Sequence, residues 1–280
     1  MRIATWNVNS VRARVERVVA FCEKAGIDVL LMQEIKCKPT QFPYQPFEDA
    51  GYTVEAHGLN QWNGVAIASR LPLEDIEYSF PGMPGFQKGY EGDDAPLEAR
   101  AISALVEGVR LWSLYVPNGR GLDDPHYAYK LAFYEALRRY VADTLAAEPD
   151  LPLALTGDFN VAPLDADNGD PSIVEGVTTH VSPAEREAFR ALEGAGLTDV
   201  VRPVVPEGFT FWDYKQLRFP RNEGLRIDFI LGSQAFADAV EGASIERDER
   251  KGEGPSDHVP IVVDLDLSDD DDDDLPMIFG

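Results

Sequence analysis

Six short motifs contain the side chains that could perform chemistry, and each motif lies where an apolar run of the sequence begins or ends. They are Trp6-Asn7-Val8-Asn9, Gln33-Glu34, Tyr115-Val116-Pro117-Asn118-Gly119, Gly157-Asp158-Phe159-Asn160, Arg226-Ile227-Asp228 and Ser256-Asp257-His258. Strand ends are where α/β sheets present functional groups. A single Asn or Asp also suits a turn, because its side chain bonds the nearby backbone, and this interpretation stays open for Asn9 and Asn118. Six such motifs are more than turns require.

Hard oxygen ligands are the first chemical feature of these motifs. They are offered by Asn7, Glu34, Asp158, Asn160 and Asp257. Oxygen ligands accompanied by one histidine and no cysteine suit Mg²⁺ or Mn²⁺ rather than Zn²⁺. The two cysteines of the chain, Cys22 and Cys37, do not have a metal-binding spacing. The sequence therefore predicts a magnesium site, which suits a phosphate substrate because Mg²⁺ keeps several bound waters.

An oriented imidazole is the second chemical feature. His258 follows Asp257 directly, and Asp228 adds another acid. A carboxylate that bonds an imidazole fixes its tautomer and favours its cationic form. Such a cation beside a phosphate stabilises the charge that develops in phosphoryl transfer. The other three histidines, His57, His126 and His180, lack such neighbours, and we expect them to be structural or exposed.

The elements that must position these groups are predicted from the apolar pattern. Short apolar runs predict strands at Arg2–Thr5, Val29–Met32, Val65–Ser69, Ile102–Val106, Leu111–Val116, Leu153–Thr156, Ile227–Leu231 and Ile261–Leu265. Helical spacing predicts a helix from Val11 to Cys22, a second after Asp124, and a third over Pro183–Gly194 with Ser182 as its N-cap. Strands and helices interleave irregularly, which indicates a layered α/β domain. Without a repeat or a long linker, residues 1–267 form one predicted domain.

The charge of the chain is a weaker and opposing signal. The 280 residues include 25 Lys and Arg against 49 Asp and Glu, for a net charge of −24. Proteins that bind DNA usually carry a basic face, so this charge argues against nucleic acid, although it does not exclude a local basic surface. A salt-adapted surface or a crowded metal site explains it equally well. The aspartate run Asp269–Asp274 predicts an acidic, disordered tail over residues 268–280.

The motifs also resemble a known family. In order and approximate spacing they are similar to those of the exonuclease III and AP endonuclease family, part of the larger endonuclease/exonuclease/phosphatase group, from Met1 to about Leu267. The stretches Arg12-Ala13-Arg14, Gln33-Glu34-Ile35-Lys36 and Gly224-Leu225-Arg226-Ile227-Asp228 resemble the bacterial exodeoxyribonuclease III branch. Any one motif is a weak signal, whereas six in order are specific. The resemblance implies a layered α/β sandwich with two packed mixed β-sheets flanked by helices.

The resemblance further implies a DNA-repair phosphodiesterase that uses Mg²⁺, with Mn²⁺ as a substitute. It would cut duplex DNA 5′ to abasic sites and trim 3′ ends as a 3′→5′ exonuclease. The implied metal ligands or supporting residues are Asn7, Glu34, Asp158, Asn160, Asp257 and His258. The implied catalytic residues are Tyr115, Asp158, Asn160, Asp228 and His258. The number of metal ions stays open, and either Asp158 or His258 could be the base.

DNA contacts follow from the same resemblance. The expected contact residues are Arg12, Lys36, Asn118, Phe211, Trp212, Leu225 and Arg226. The apolar members resemble the family's pocket for a flipped-out sugar without a base. Basic residues gather in the motif loops, which answers the objection raised by the net charge. They are Arg12, Arg14, Lys36, Lys38, Arg120, Lys215, Arg218, Arg221 and Arg226.

Two other functions remain as alternatives. A phosphatase or phosphodiesterase of the same superfamily, acting on inositol phosphates or sphingomyelin, would not be expected to share Phe211-Trp212 or Gly224–Asp228. A catalytically silent binding module would tolerate the loss of Glu34, Asp158 or His258, yet all three are present.

Partners and location are predicted with less support from the residues. Either Gln216–Phe219 or the apolar hook Leu275–Phe279 could dock on a replication sliding clamp. The alternative for Gln216–Phe219, which we favour, is a loop that faces DNA beside Trp212, and the alternative for the hook is a solvated tail. We expect a monomer. No apolar stretch approaches the roughly 20 residues that cross a bilayer, and the N-terminus begins with a strand pattern rather than a signal peptide. We therefore expect a cytoplasmic protein that has no contact with a membrane.

Overall fold

The fold is a sandwich of two six-stranded sheets. The computed structural model describes residues 1–89 and 95–267. The strands in this part of the chain are β1 (Arg2–Asn7), β2 (Val29–Gln33), β3 (Thr53–His57), β4 (Val65–Ser69), β5 (Glu74–Glu77), β6 (Ala101–Val106), β7 (Val109–Tyr115), β8 (Leu153–Asp158), β9 (Thr198–Asp199), β10 (Asp228–Gly232), β11 (Val240–Ile245) and β12 (Ile261–Leu265). Their order is β11-β12-β1-β2-β4-β3 in one sheet and β5-β6-β7-β8-β10-β9 in the other.

Both sheets are mixed, and their inner faces share one core. β1 is parallel to β2, and β7 is parallel to β8, while the other neighbours are antiparallel. Ile3, Leu31 and Ile67 of the first sheet pack with Leu111 and Ile230 of the second, and all five are fully buried. Apolar burial of this kind is the main favourable contribution to folding.

Helices cover the two outer faces. α1 (Val11–Ala25) and α2 (Tyr44–Asp49) pack on the first sheet. α3 (Pro125–Ala147) and α4 (Pro183–Gly194) pack on the second sheet and on each other. α5 (Arg218–Arg221) and α6 (Gln234–Asp238) lie in connections. This arrangement confirms the predicted layered sandwich of two mixed sheets flanked by helices.

The predicted strands and helices agree with the structure except at the edges of the two sheets. All eight predicted strands are present, and β4, β12 and α4 have the predicted bounds. Ser182 is the N-cap of α4, where it exchanges hydrogen bonds with Glu185 in a capping box. The strands that the sequence did not predict are β3, β5, β9 and β11, which are the four edge strands. Edge strands are partly exposed and therefore lack the continuous apolar run of a buried strand.

Two further sequence predictions concern the C-terminal tail and membrane-spanning helices. The acidic segment 268–280, with its apolar hook, lies outside the described residues. Among residues 1–89 and 95–267, no helix combines the length and the apolar character that crossing a membrane requires.

A substitution at Gly157 tests how closely β7 and β8 approach each other. Its φ is 132°, and a Cβ atom at this position would lie 2.1 Å from the carbonyl oxygen of Leu114. We expect Gly157→Ala to lower the free energy of unfolding by about 2–4 kcal/mol, because both the backbone strain and the clash must be relieved. Urea denaturation measures this. Gly194→Ala is the matched control, since no heavy atom lies within 4 Å of its added methyl group, and it should be neutral or slightly stabilising. Equal stability of the two variants would contradict the close packing.

Candidate active site

Four functional side chains meet at one edge of the sandwich because the strand directions align there. β1 packs on β8 and β2 packs on β7, and each parallel pair ends at the same edge. Asn7, Tyr115 and Asp158 are the last residues of β1, β7 and β8, and Glu34 directly follows β2. The carboxyl ends of the four central strands therefore bring a carboxylate pair, an amide and a phenol together.

Antiparallel neighbours add the remaining two motifs. Asp228 begins β10 and lies opposite Asp158 in the register of the two strands. His258 precedes β12, which is antiparallel to β1. Two bonds fix its loop: the indole of Trp6 donates to the carbonyl oxygen of His258 at 3.1 Å, and the hydroxyl of Ser256 donates to the carbonyl oxygen of Asn7 at 2.7 Å. All six sequence motifs thus converge on one site.

The loops at this edge contain strained backbone. Asn9, Ser10, Glu34, Lys36 and Asn160 all have φ between 43° and 86°, a region that residues other than glycine rarely occupy. Loop-to-loop hydrogen bonds hold them there, such as those from Ser10 N to Glu34 O at 2.7 Å and from Lys36 N to Asn63 O at 3.1 Å. Each such residue costs of order 1–3 kcal/mol, and such residues cluster at functional sites.

Glu34 and Asp158 are linked by the amide of Asn7. The Nδ2 atom of Asn7 donates to Glu34 Oε1 at 2.8 Å and to Asp158 Oδ2 at 3.0 Å. Its Oδ1 atom accepts from the backbone N–H of Asn9 at 3.1 Å. In this structure the amide of Asn7 therefore orients the two carboxylates, and its predicted part in the metal shell stays a prediction. Lys36 Nζ lies 2.8 Å from Glu34 Oε2. Burial raises the pKa of Glu34, but this ammonium group outweighs it and holds the pKa below its usual value.

His258 lies between two carboxylates. Its Nδ1 is 2.9 Å from Asp228 Oδ2, and its Nε2 is 3.8 Å from Asp158 Oδ2. Burial lowers the pKa of His258, but the carboxylates of Asp228 and Asp158 have the larger effect and raise it to about 10. The imidazole is therefore cationic at neutral pH. A protonated imidazole donates hydrogen bonds, and one ring nitrogen also lies within 4.8 Å of the ligand atoms of Glu34 and Asp158, so the predicted role of His258 as a metal ligand stays a prediction beside its role as a donor.

Asp158 and Tyr115 have raised pKa values. Burial, together with the charges of Asp228 and Glu34, raises the pKa of Asp158 to about 8 against the opposing effect of His258. Burial and the Glu34 carboxylate raise the pKa of the Tyr115 phenol well above its usual value, so the phenol remains a hydrogen-bond donor. A buried carboxylate with a pKa near neutrality is suited to accept a proton.

The charge balance of the site favours a bound cation. Glu34, Asp158 and His258 each place one ligand atom within 4.8 Å of the others, the only such group among the described residues. When Asp158 is ionised, the three carboxylates of Glu34, Asp158 and Asp228 outnumber the two neighbouring cations, Lys36 and His258. Carboxylate oxygens are ligands that hard divalent cations prefer. The acidic cluster can therefore hold a metal ion, with Glu34 and Asp158 as its ligands.

Two of the predicted metal ligands lie outside this cluster. Asn160 donates from Nδ2 to the carbonyl oxygen of Val116 at 2.9 Å and accepts at Oδ1 from Asn118 at 3.1 Å. Asp257 accepts from the Nδ2 of Asn9 at 2.9 Å. Their predicted part in metal binding stays a prediction.

His180 is a site residue that the sequence did not reveal. It is buried, with φ of 80°. Its Nδ1 lies 2.7 Å from the carbonyl oxygen of Asn160 and its Nε2 lies 3.4 Å from the amide of Asn118. Burial and the Lys130 ammonium lower the pKa of His180 to about 4, so this imidazole is neutral. No motif marks it, because it lies 20 residues beyond Asn160 in an irregular segment.

The residues expected to contact DNA divide into two groups. Arg12 is exposed, Lys36, Asn118 and Phe211 are half-buried, and the Phe211 ring centre is 4.8 Å from that of His258. The buried members are Trp212, Leu225 and Arg226.

The second group is buried in this structure, and its contact with DNA stays a prediction. Trp212 is 0% exposed and packs edge-on against Phe219. Arg226 is 1% exposed and donates to the carbonyl oxygen of Val205 at 2.8 Å. Their side chains support the loops around the site and, in this structure, present no surface to a DNA strand.

Comparison with known proteins agrees with this architecture. A four-layer α/β sandwich with acidic residues and an oriented histidine at its strand ends is typical of metal-dependent phosphoesterases. The sequence matches the Endonuclease/Exonuclease/phosphatase family over residues 4–258, and the chain belongs to that family.

Individual relatives are similar over nearly their whole length. The chain is 33% identical to exodeoxyribonuclease III of Haemophilus influenzae, over 93% of this chain and 98% of that protein. A 3′ phosphatase from Neisseria bound to a product DNA hairpin is similar in structure, with 38% identity, 95% and 99% coverage and a TM-score of 0.86. An AP endonuclease from Archaeoglobus fulgidus follows, with 32% identity, 95% and 100% coverage and a TM-score of 0.85.

The pairing of His258 with Asp228 makes a direct prediction. In metal-free Asp228→Asn protein the pKa of His258 should fall from about 10 toward its ordinary value of 6.5, because the carboxylate that stabilises the cation is lost. An NMR pH titration of the imidazole measures this. A raised pKa stabilises the fold below about pH 6.5, and that contribution is lost as the pH rises through about 10. The stability difference between wild type and variant should therefore shrink over that range.

His57 is the internal control for this titration. Burial lowers its pKa, and Asp228 is not among the causes, so its titration should be the same in both proteins. An unchanged pKa of His258 in the variant would show that Asp228 does not hold the cationic imidazole.

Proposed function

We propose that this protein is a metal-dependent DNA-repair phosphodiesterase that hydrolyses DNA on the 5′ side of abasic sites and removes groups from 3′ ends. One observation carries the proposal: the half-buried Glu34 and the buried Asp158 lie beside a cationic His258 that Asp228 orients. This is the site expected for hydrolysis of a phosphate diester. Similarity to an exodeoxyribonuclease III, a 3′ phosphatase and an AP endonuclease supports a DNA substrate.

Each side chain has a role in the proposed reaction. Asp158 accepts a proton from the attacking water, whose oxygen forms a bond to phosphorus as the bond from phosphorus to the 3′ oxygen breaks. His258 is the weaker candidate for the base, because its pKa of about 10 leaves it protonated; it donates to a phosphate oxygen instead. The Tyr115 phenol and the Asn160 amide contact the same phosphate. A bound Mg²⁺, or Mn²⁺ in its place, would be held by Glu34 and Asp158 and would neutralise charge on the phosphate and the leaving oxygen.

Exposed cations close in sequence to the motifs support DNA as the substrate despite the net charge of −24. They are Arg12, Lys38, Arg120, Lys215 and Arg221. Two of them are tied to the site: the guanidinium of Arg12, on α1, lies 3.4 Å from the carbonyl oxygen of Lys36, and the backbone N–H of Arg120 donates to Asn118 Oδ1 at 3.0 Å. Cations at a rim steer and position a phosphate backbone even on an acidic protein.

A sliding clamp is a further proposed partner. Gln216 and Leu217 are exposed and both have φ of 56°, and Leu217 is 66% exposed. An exposed apolar side chain on a surface loop suits a contact with a groove on a partner. A pull-down with purified clamp, comparing wild type with Leu217→Ser, tests it, and the absence of binding by the wild type removes the proposal.

Cleavage of a labelled duplex that contains one abasic-site analogue tests the proposed function. With Mg²⁺ the wild type should cut immediately 5′ to the lesion, and EDTA should abolish cleavage. Asp158→Asn should lower kcat by about 10³-fold or more, because the proton acceptor and a metal ligand are both lost. Asp150→Asn, which changes an exposed carboxylate, should cleave normally.

Three substrates separate the activities of the proposed site. An intact duplex with recessed ends, a 3′-phosphate end and the abasic duplex distinguish exonuclease, 3′-phosphatase and endonuclease activity. If the folded, metal-loaded protein cleaves none of them, a superfamily phosphatase with another substrate becomes the better reading, and the net charge of −24 favours it.

Salt dependence of binding tests the role of the rim cations. Arg12→Ala and Arg221→Ala should each weaken binding of duplex DNA of any sequence and reduce the slope of log K against log salt by about 1. Fluorescence anisotropy with the inactive Asp158→Asn protein measures this. Arg190→Ala, which changes an exposed arginine on α4, is the control and should leave the slope unaltered. A slope equal to that of wild type in both rim variants would show that DNA lies elsewhere.

A further inference from the structure

A lysine with no exposed surface lies behind the site. Lys130, on α3, and Glu185, on α4, form an ion pair in which both side chains are 0% exposed. Removing two charges from water is costly, and the cost is offset only when additional hydrogen bonds satisfy the remaining polar groups. The partners of this lysine are therefore informative about its role.

Those partners are the backbones of the two amide residues at the site. Lys130 Nζ donates to the carbonyl oxygens of Asn160 at 2.7 Å and Asn118 at 3.2 Å. Thr179 Oγ1 also donates to the carbonyl oxygen of Asn118, at 2.9 Å. Glu185 is bonded to Lys130 and Thr179 and accepts from the backbone N–H of His180 at 3.0 Å. One buried pair thus fixes the loops that follow β7 and β8.

The side chains of Asn118 and Asn160 depend on this arrangement. Their amides bond each other at 3.1 Å, and Asn160 has φ of 54°, which requires support from its surroundings. At Gly119 a Cβ atom would lie 2.8 Å from Thr179 Oγ1 and 3.3 Å from Lys130 Cδ. The loop after Asn118 therefore closes tightly on the aliphatic stem of the lysine.

We infer that Lys130, fixed by Glu185, is a positioning residue that sets the amides of Asn118 and Asn160 against the scissile phosphate. The inference rests on the proposed function, which places that phosphate at Asn160. Lys130 itself touches no substrate, because no part of it is exposed. Its effect on the rate is exerted through the placement of the two amides, and misplacement by about 1 Å is enough to slow an enzyme about 10²-fold.

Kinetics of three proteins test the inference at a temperature where all are folded. Lys130→Met should lower kcat about 10²-fold with little change in KM. Adding Glu185→Gln removes the uncompensated buried charge and should restore much of the melting temperature without restoring kcat. Leu192→Ala, which creates a cavity in the same α3–α4 core, should lower the melting temperature and leave kcat unchanged. Recovery of kcat together with the melting temperature would overturn the inference.

A second comparison separates positioning from a general loss of structure. In an Asn118→Ala/Asn160→Ala protein, Lys130→Met should have little further effect on kcat, because the groups it positions are absent. The same fold-change in both backgrounds would count against the inference. Side-chain amide NMR signals of Asn118 and Asn160 should shift in Lys130→Met and not in Leu192→Ala. This readout decides the inference even if the wild type cleaves no DNA, an outcome that would refute only the proposed function.

Discussion

The face-to-face packing of β1 on β8 and of β2 on β7 is the constraint on which the rest of the molecule depends. β2 and β8 are buried at every residue, and β1 and β7 at every residue except Arg2 and Tyr115. The relative positions of the four strands are therefore set by a close-packed core that does not deform easily. Both parallel pairs end at the same edge, so the packing of the core also fixes the distance between the carboxylates of Glu34 and Asp158. The loops add strained backbone, but the strands determine where the site lies.

Electrostatics then give the site its character. Three carboxylates, Glu34, Asp158 and Asp228, lie in surroundings that disfavour charge, and each is stabilised differently. Glu34 has the ammonium group of Lys36, and Asp228 has the imidazole of His258. Asp158 has neutral donors, the amide of Asn7 and the backbone N–H of Asn160, and a more distant His258. Asp158 is therefore the carboxylate whose pKa rises. Burial and unequal pairing together explain why one acid of the three is suited to proton transfer.

The sequence was sufficient for the central parts of the fold and the site, and insufficient where the relevant signal is non-local. Buried strands produce continuous apolar runs, so the eight inner strands were predicted and the four edge strands were not. Glu34, Asp158 and His258 were identified because motif order survives in the sequence. The burial of Trp212 and Arg226 was not predicted, because a pocket wall and a supporting residue have the same apolar or basic signature. His180 and Lys130 were missed for a related reason: their partners lie on other elements and no local spacing records the contact.

The acidic surface bears on how such a site would select its substrate. Five exposed cations lie close in sequence to the motifs: Arg12, Lys38, Arg120, Lys215 and Arg221. The affinity of binding that used all of them would fall as roughly the fifth power of rising salt concentration. The remaining surface is dominated by acids, which repel a phosphate backbone beyond the rim. Extended non-specific contact with DNA is therefore unfavourable. The distribution of charge favours a short contact surface around the cleavage point. Under that constraint, discrimination between substrates must come from the geometry near Asn160, Asn118 and His258, where backbone strain and buried hydrogen bonds already fix the side chains.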